Sequence, residues 1–149
     1  MNRKIVCVVL LCLTTACTED TLVHSYKPIS DEGWWRNDTL VYTLPPQSTD
    51  LHCTASVEVR ISNAFALREL WLEVEKKVGE NSQKDTVMFR LADESENLDG
   101  EGFNLLQYAQ EAGHIDLKAN EEASLRIRHL MEREIIPHIC EVGIRVDKQ

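Results

Sequence analysis

The chain has 149 residues, of which 28% are charged and 43% apolar, with a formal net charge of −9. That length suits one domain and is too short for two, and the composition is that of a globular protein rather than a disordered or fibrous one. The acidic balance argues against nucleic acid as a partner, because phosphate binding needs a basic surface, and it works against adhesion to anionic lipid.

The first segment carries an address. Arg3 and Lys4 make a short positive start, Ile5 to Leu13 is an uninterrupted apolar run, and Thr14-Thr15-Ala16-Cys17 follows. Charge, length and small-residue end are those of a secretory signal peptide. The run is too short to span a bilayer, which takes about 20 residues. The terminal Cys resembles the lipobox of bacterial lipoproteins, in which the Cys is acylated with palmitate-type chains and becomes the first residue after cleavage. Cys17 is therefore the expected lipidation site and residues 1–16 the signal. Their removal takes two basic residues and no acidic one, so the net charge goes from −9 to −11.

Residues 17–33 read as the lipidated Cys and a polar tether, with Pro28, Ser30, Asp31, Glu32 and Gly33 and no strong apolar period. The folded domain is expected over 34–149. Leu40, Tyr42 and Leu44 alternate with Val41 and Thr43 as a short strand that Pro45-Pro46 stops. Val57, Val59 and Ile61 alternate with polar residues as a half-buried strand. Residues 64–78 fit a helix through Leu67, Leu70, Trp71, Val74 and Val78, yet Leu70, Leu72 and Val74 also alternate. Gly79 ends that segment, Glu80 to Lys84 reads as a polar loop, and Val87, Phe89 and Leu91 make another strand. Ala92 to Gly102 is an acidic, turn-rich loop without calcium-loop spacing. Leu105, Tyr108, Ala109 and Ala112 suggest helical turns ended by Gly113, and 122–134 again suits helix or strand. Cys140, Val142, Ile144 and Val146 alternate as a final strand.

Few residues offer chemistry. There is no nucleophile elbow, zinc-protease motif or phosphate-binding glycine loop, so no catalytic or metal-ligating residue and no cofactor is assigned. The five histidines, His24, His52, His114, His129 and His138, match no standard metal spacing. Cys53 and Cys140 either pair as a disulfide in an oxidising compartment or stay as two buried thiols. Trp34-Trp35 is the candidate binding surface, since adjacent strand residues point to opposite faces and one indole can stay exposed.

Several short motifs line up in order: Trp35-Arg36-Asn37-Asp38, Arg60-Ile61-Ser62-Asn63, Glu69-Leu70-Trp71-Leu72-Glu73-Val74, Leu98-Asp99-Gly100-Glu101-Gly102, His129-Leu130-Met131-Glu132-Arg133 and Glu141-Val142-Gly143-Ile144-Arg145-Val146. With the lipobox, the chain resembles the gliding-motility lipoprotein H (GldH) family of the Bacteroidetes. It departs at Leu98, where that family often has an aromatic residue, and at Glu132, where it often has Arg. The resemblance implies a mainly β, single β-sandwich-like domain on a lipid anchor, with strands at 70–75 and 122–131; the residues alone also support an α+β domain. It further implies a non-enzymatic outer-membrane lipoprotein that scaffolds or stabilises a gliding or type IX secretion complex, with other envelope lipoproteins or secretion proteins as partners. Glu19-Asp20 weakly resembles an acidic surface-export tag, so both the periplasmic and the surface face stay open. The alternative is a glycan-binding surface lipoprotein. A sugar site needs two or three aromatics on one face, and aromatics are only 6% of this chain.

Overall fold

The computed structural model of the chain describes residues 20–93, 95 and 97–149. Cys17 and the signal segment lie outside the described residues. Ten strands follow in order: β1 (Thr21–Pro28), β2 (Trp34–Trp35), β3 (Leu40–Leu44), β4 (Leu51–Ser62), β5 (Glu69–Val78), β6 (Asn81–Arg90), β7 (Leu105–Leu117), β8 (Ala123–His129), β9 (Ile135–Ile136) and β10 (Ile139–Lys148). Two four-stranded sheets, ordered β1-β10-β4-β7 and β3-β8-β5-β6, are antiparallel throughout, and β2 and β9 form a small third sheet. The fold is the mainly β, sandwich-like one, with no helix among the described residues.

The two large sheets bury their facing side chains in one cluster. Val57, Val59, Ile61, Val142, Ile144 and Val146 come from one sheet, and Leu70, Leu72, Val74, Leu125 and Ile127 from the other. Period-two alternation puts each of these on the inner face, and that common burial decides the two ambiguous segments. Leu70, Leu72 and Val74 alternate with outward Trp71, Glu73 and Glu75, and Leu125 and Ile127 with Arg126 and Arg128. Tertiary burial overrides a weak helical preference there. Tyr42 reaches across the core and its hydroxyl donates to the Val142 carbonyl at 2.6 Å.

Three expectations are corrected. Within the expected tether over 17–33, Thr21–Pro28 forms β1 on the edge of the first sheet, with Val23 opposite Val146 and Tyr26 opposite Gly143. Leu22 and Val23 are only half-buried at this edge, so the strand leaves little apolar signature. The helical turns expected over Leu105–Ala112 are part of β7 instead. The register between β4 and β7 shifts between Thr54 and Ser56, and Gly113 takes a φ of +77° beside that irregularity, so the glycine marks a bulge rather than a helix end. The loop expected over Glu80–Lys84 shrinks to a two-residue turn, with Gly79 at φ +55° and Val78 paired to Asn81.

Register also defines two ends. Thr21, Leu51, Leu117, Ala123 and the β5–β6 turn share the end where β1 begins. Ser62, Leu105, Glu69, Arg90, His129 and the β2–β9 pair share the other.

Candidate functional site

The outer face of the β1-β10-β4-β7 sheet carries a polar network centred on Glu58. This carboxylate is nearly buried although its strand position faces out. Its Oε2 accepts from the Tyr26 hydroxyl, from His24 Nε2 at 3.1 Å and from Gln107 Nε2 at 3.2 Å. The Arg60 guanidinium lies 3.7 Å from the centre of the Tyr26 ring and donates to Glu141 Oε2 at 2.7 Å and Gln107 Oε1 at 3.0 Å. Tyr26 fits because its partner is Gly143, where an added Cβ would sit 2.6 Å from the ring. The network ties β1, β4, β7 and β10 together on this face.

The outer face of the β3-β8-β5-β6 sheet has two zones. Its middle is a lattice of ion pairs. Glu73 accepts from Arg128 Nε at 2.9 Å and Nη2 at 3.1 Å and lies 3.3 Å from Lys84, and Arg126 lies 3.5 Å from Glu75. Hydrogen bonding from Arg128 holds the Glu73 carboxyl below its usual range. The zone nearer the far end is apolar. Trp71, opposite Met88, is 41% exposed and Met88 37%. A groove of about 590 Å³ runs beside them, lined by Leu67, Glu69, Met88, Arg90, Ala92 and Met131 among others. The Trp71 indole N–H donates to Glu69 Oε2 at 3.1 Å, and the Trp71 backbone N–H points at Met131 Sδ at 3.3 Å. Leu105, Leu130 and Phe103 are further exposed apolar residues at that end, with Phe103 88% exposed.

The predicted residues are placed as follows. Trp34 is buried, its indole N–H donating to the Asp38 carbonyl at 3.0 Å, whereas Trp35 beside it is 37% exposed, so the pair splits inward and outward as adjacent strand residues do. The candidate disulfide is corrected: Cys53 and Cys140 are both free. Cys53 lies opposite Lys148 on β10, which puts Cys140 about 27 Å further along the same strand. Burial pushes the Cys53 thiol up, away from a reactive thiolate. His129 is buried against Trp34, its Nε2 donating to the Trp34 carbonyl at 3.2 Å, and burial pulls its pKa down. His52 and His114, far apart in sequence, stack with ring centroids 5.2 Å apart, and His52 Nδ1 donates to Asp116. No group of three or more His, Cys, Asp or Glu among the described residues is arranged to hold a metal ion.

Sequence reading missed Met88 and Met131 as surface residues. The available signal was parity: Trp71 and Met88 are large apolar residues at outward positions of strands whose inward positions are already filled. The pairing that joins them is not visible in either segment alone.

A family model for the GldH lipoprotein matches residues 21–146, from the first residue of β1 almost to the end of β10. The chain belongs to the GldH lipoprotein family. It is thereby a gliding-motility-related lipoprotein, attached to a membrane of the cell envelope. No curated protein matches the sequence. Among solved structures, the functional form of the mosquito-larvicidal Cry4Aa toxin from Bacillus thuringiensis is similar, with a TM-score of 0.46 and 8% identity over 77% of this chain. The match covers 18% of that toxin chain. The matched residues run through β1 to β10.

Proposed function

We propose that this GldH-family chain is a non-enzymatic outer-membrane lipoprotein, acylated at Cys17, that scaffolds or stabilises a gliding or type IX secretion-related protein complex. One observation carries the reading. Most of the large exposed apolar side chains, among them Trp71, Met88, Phe103, Leu105 and Leu130 but not Val41, lie at the end of the sandwich away from the start of β1, whereas many charges on the outer faces are neutralised within the chain. Large apolar side chains exposed side by side on neighbouring strands, as Trp71 and Met88 are, mark a protein-protein contact. The chemistry of the polar clusters agrees with it: Glu58, Arg60 and Tyr26 are tied to one another, and the Cys53 thiol is buried.

Glycan binding is the weaker reading, because Trp34, Tyr42, Phe65 and Phe89 are buried in the core. The exposed Trp35, Trp71 and Phe103 sit on β2, on β5 and in the loop before β7 rather than on one strand face.

The test is purification of the lipidated protein from its own membrane after mild crosslinking, with mass spectrometry of the N-terminus and of co-purifying chains. The expected result is an acylated Cys17 and recovery, near stoichiometric, of other envelope lipoproteins or secretion proteins. A protein that comes out alone and is retained on a polysaccharide column overturns the scaffold in favour of glycan binding. An unmodified N-terminus at another residue removes the anchor.

A further inference from the structure

The groove beside Trp71 and Met88 differs from the rest of its sheet in charge as well as polarity. The neighbouring cations Arg126, Arg128 and Lys84 are each paired with Glu73 or Glu75. Glu69, the carboxylate on the groove wall, is engaged by the Trp71 indole. Arg90 stands opposite Glu69 on β6, is exposed, and makes no ion pair among the described residues. An apolar floor is thus edged by an arginine whose fork is available to a carboxylate, the geometry that guanidinium recognises best. The volume of about 590 Å³ is room for a few side chains.

Position selects the class of occupant. Three residues lie between Cys17 and Thr21, so four Cα steps give a reach of at most about 14 Å. Thr21 is already fixed, its hydroxyl donating to Asp147 Oδ1 at 2.6 Å, and the Lys148 N–H donates to the Asp20 carbonyl at 2.7 Å. The end where β1 begins therefore faces the lipid anchor. Trp71 lies about 24 Å along β5 from Val78 at that end, and Met88 a similar distance along β6 from Asn81. That separation takes the groove out of reach of the acyl layer and of the tether.

We propose that this groove docks a segment of a partner protein in which one or two large apolar side chains are flanked by a carboxylate, the apolar groups seating against Trp71, Met88 and Met131 and the carboxylate meeting Arg90. The inference rests on the scaffold reading and adds the surface and the partner's chemistry. The mature chain is acidic overall, so a second copy would bring a carboxylate-rich surface against one of the same sign; of the two arginines that line the groove, Arg68 already donates to the Asp93 carbonyl, and Arg90 favours a short acidic-apolar segment instead.

The test is site-specific photocrosslinking in intact cells with the full lipidated chain, placing a photoreactive side chain at position 71 or 88 and, as controls on the same outer face nearer the anchor, at position 43 or 82. Positions 71 and 88 should give an adduct with one protein, and the crosslinked peptide should carry a large apolar residue next to Asp or Glu. Arg90→Glu combined with position 88 should reduce that adduct about tenfold, and Arg90→Lys should retain part of it. Because Arg90 is exposed, thermal melting of both variants should match the parent, which separates lost docking from lost folding. An adduct at the mass of two copies, a lipid or glycan adduct, or a peptide without an acidic residue overturns the inference. Capture only at positions 43 or 82 overturns it and leaves the scaffold standing. Capture at no position, together with purification of the chain alone, removes both.

Discussion

The two outer faces of the sandwich are built from the same strand geometry and end in opposite states. On the β1-β10-β4-β7 sheet, the outward groups of four strands converge: Tyr26 from β1, Glu58 and Arg60 from β4, Gln107 from β7 and Glu141 from β10 satisfy one another. On the β3-β8-β5-β6 sheet, the outward groups pair only through the middle, and at the far end Trp71 and Met88 meet water. A face whose hydrogen bonds and charges are met within the chain contributes stability. A face that leaves apolar area and a cation unmatched is available for recognition. The difference separates fold maintenance from contact in a domain with few other distinguishing marks.

Substitution on the two faces measures that difference. Glu58→Leu should have the largest effect. It strands the Tyr26 hydroxyl, His24 and Gln107 around an apolar side chain, and urea unfolding should report a loss of about 2–3 kcal/mol. Gly143→Ala should follow at about 1–2 kcal/mol, because the new methyl displaces the Tyr26 ring from its place over β10. Acid is the third lever. Burial depresses the His129 pKa, so below about pH 6.5 the unfolded chain binds a proton that the folded one refuses, and stability falls as pH falls through that range. His129→Gln should flatten that part of a stability-against-pH curve; an unchanged slope would show that the buried imidazole does not set it. Met88→Ser should cost least, under about 0.5 kcal/mol, on a position that is already exposed. If Met88→Ser costs as much as Glu58→Leu, the contrast between the faces fails.

The strands of the core were legible because their inner positions repeat every second residue. Val57, Val59 and Ile61, and Val142, Ile144 and Val146, need no partner to be read. β1 escaped because an edge strand half-buries Leu22 and Val23 and exposes His24, Ser25 and Lys27, a pattern that resembles a polar linker. β7 was misread because its bulge breaks the alternation, leaving Ala112 buried and Gly113 where a helix would end. The split of Trp34 and Trp35 followed from strand parity alone. The groove did not, since Trp71, Met88 and Met131 come from three separate stretches joined only by pairing between strands and by the turn after β8. The same holds for Glu58, which reads as the solvent-facing member of Val57-Glu58-Val59 until Tyr26 and His24 are laid over it.

The direction of β1 bears on mechanics. The strand enters at the anchor end and runs antiparallel to β10 from Thr21 to Pro28. Its hydrogen bonds lie across the strand axis. When a partner held at the far end is drawn away from the membrane, the load on β1 points along that axis. All the rungs between β1 and β10 then resist sliding together, instead of peeling apart one after another. On the proposed scaffold reading, an edge strand that the sequence presents as a polar linker is thus oriented to carry tension between the anchor and a partner.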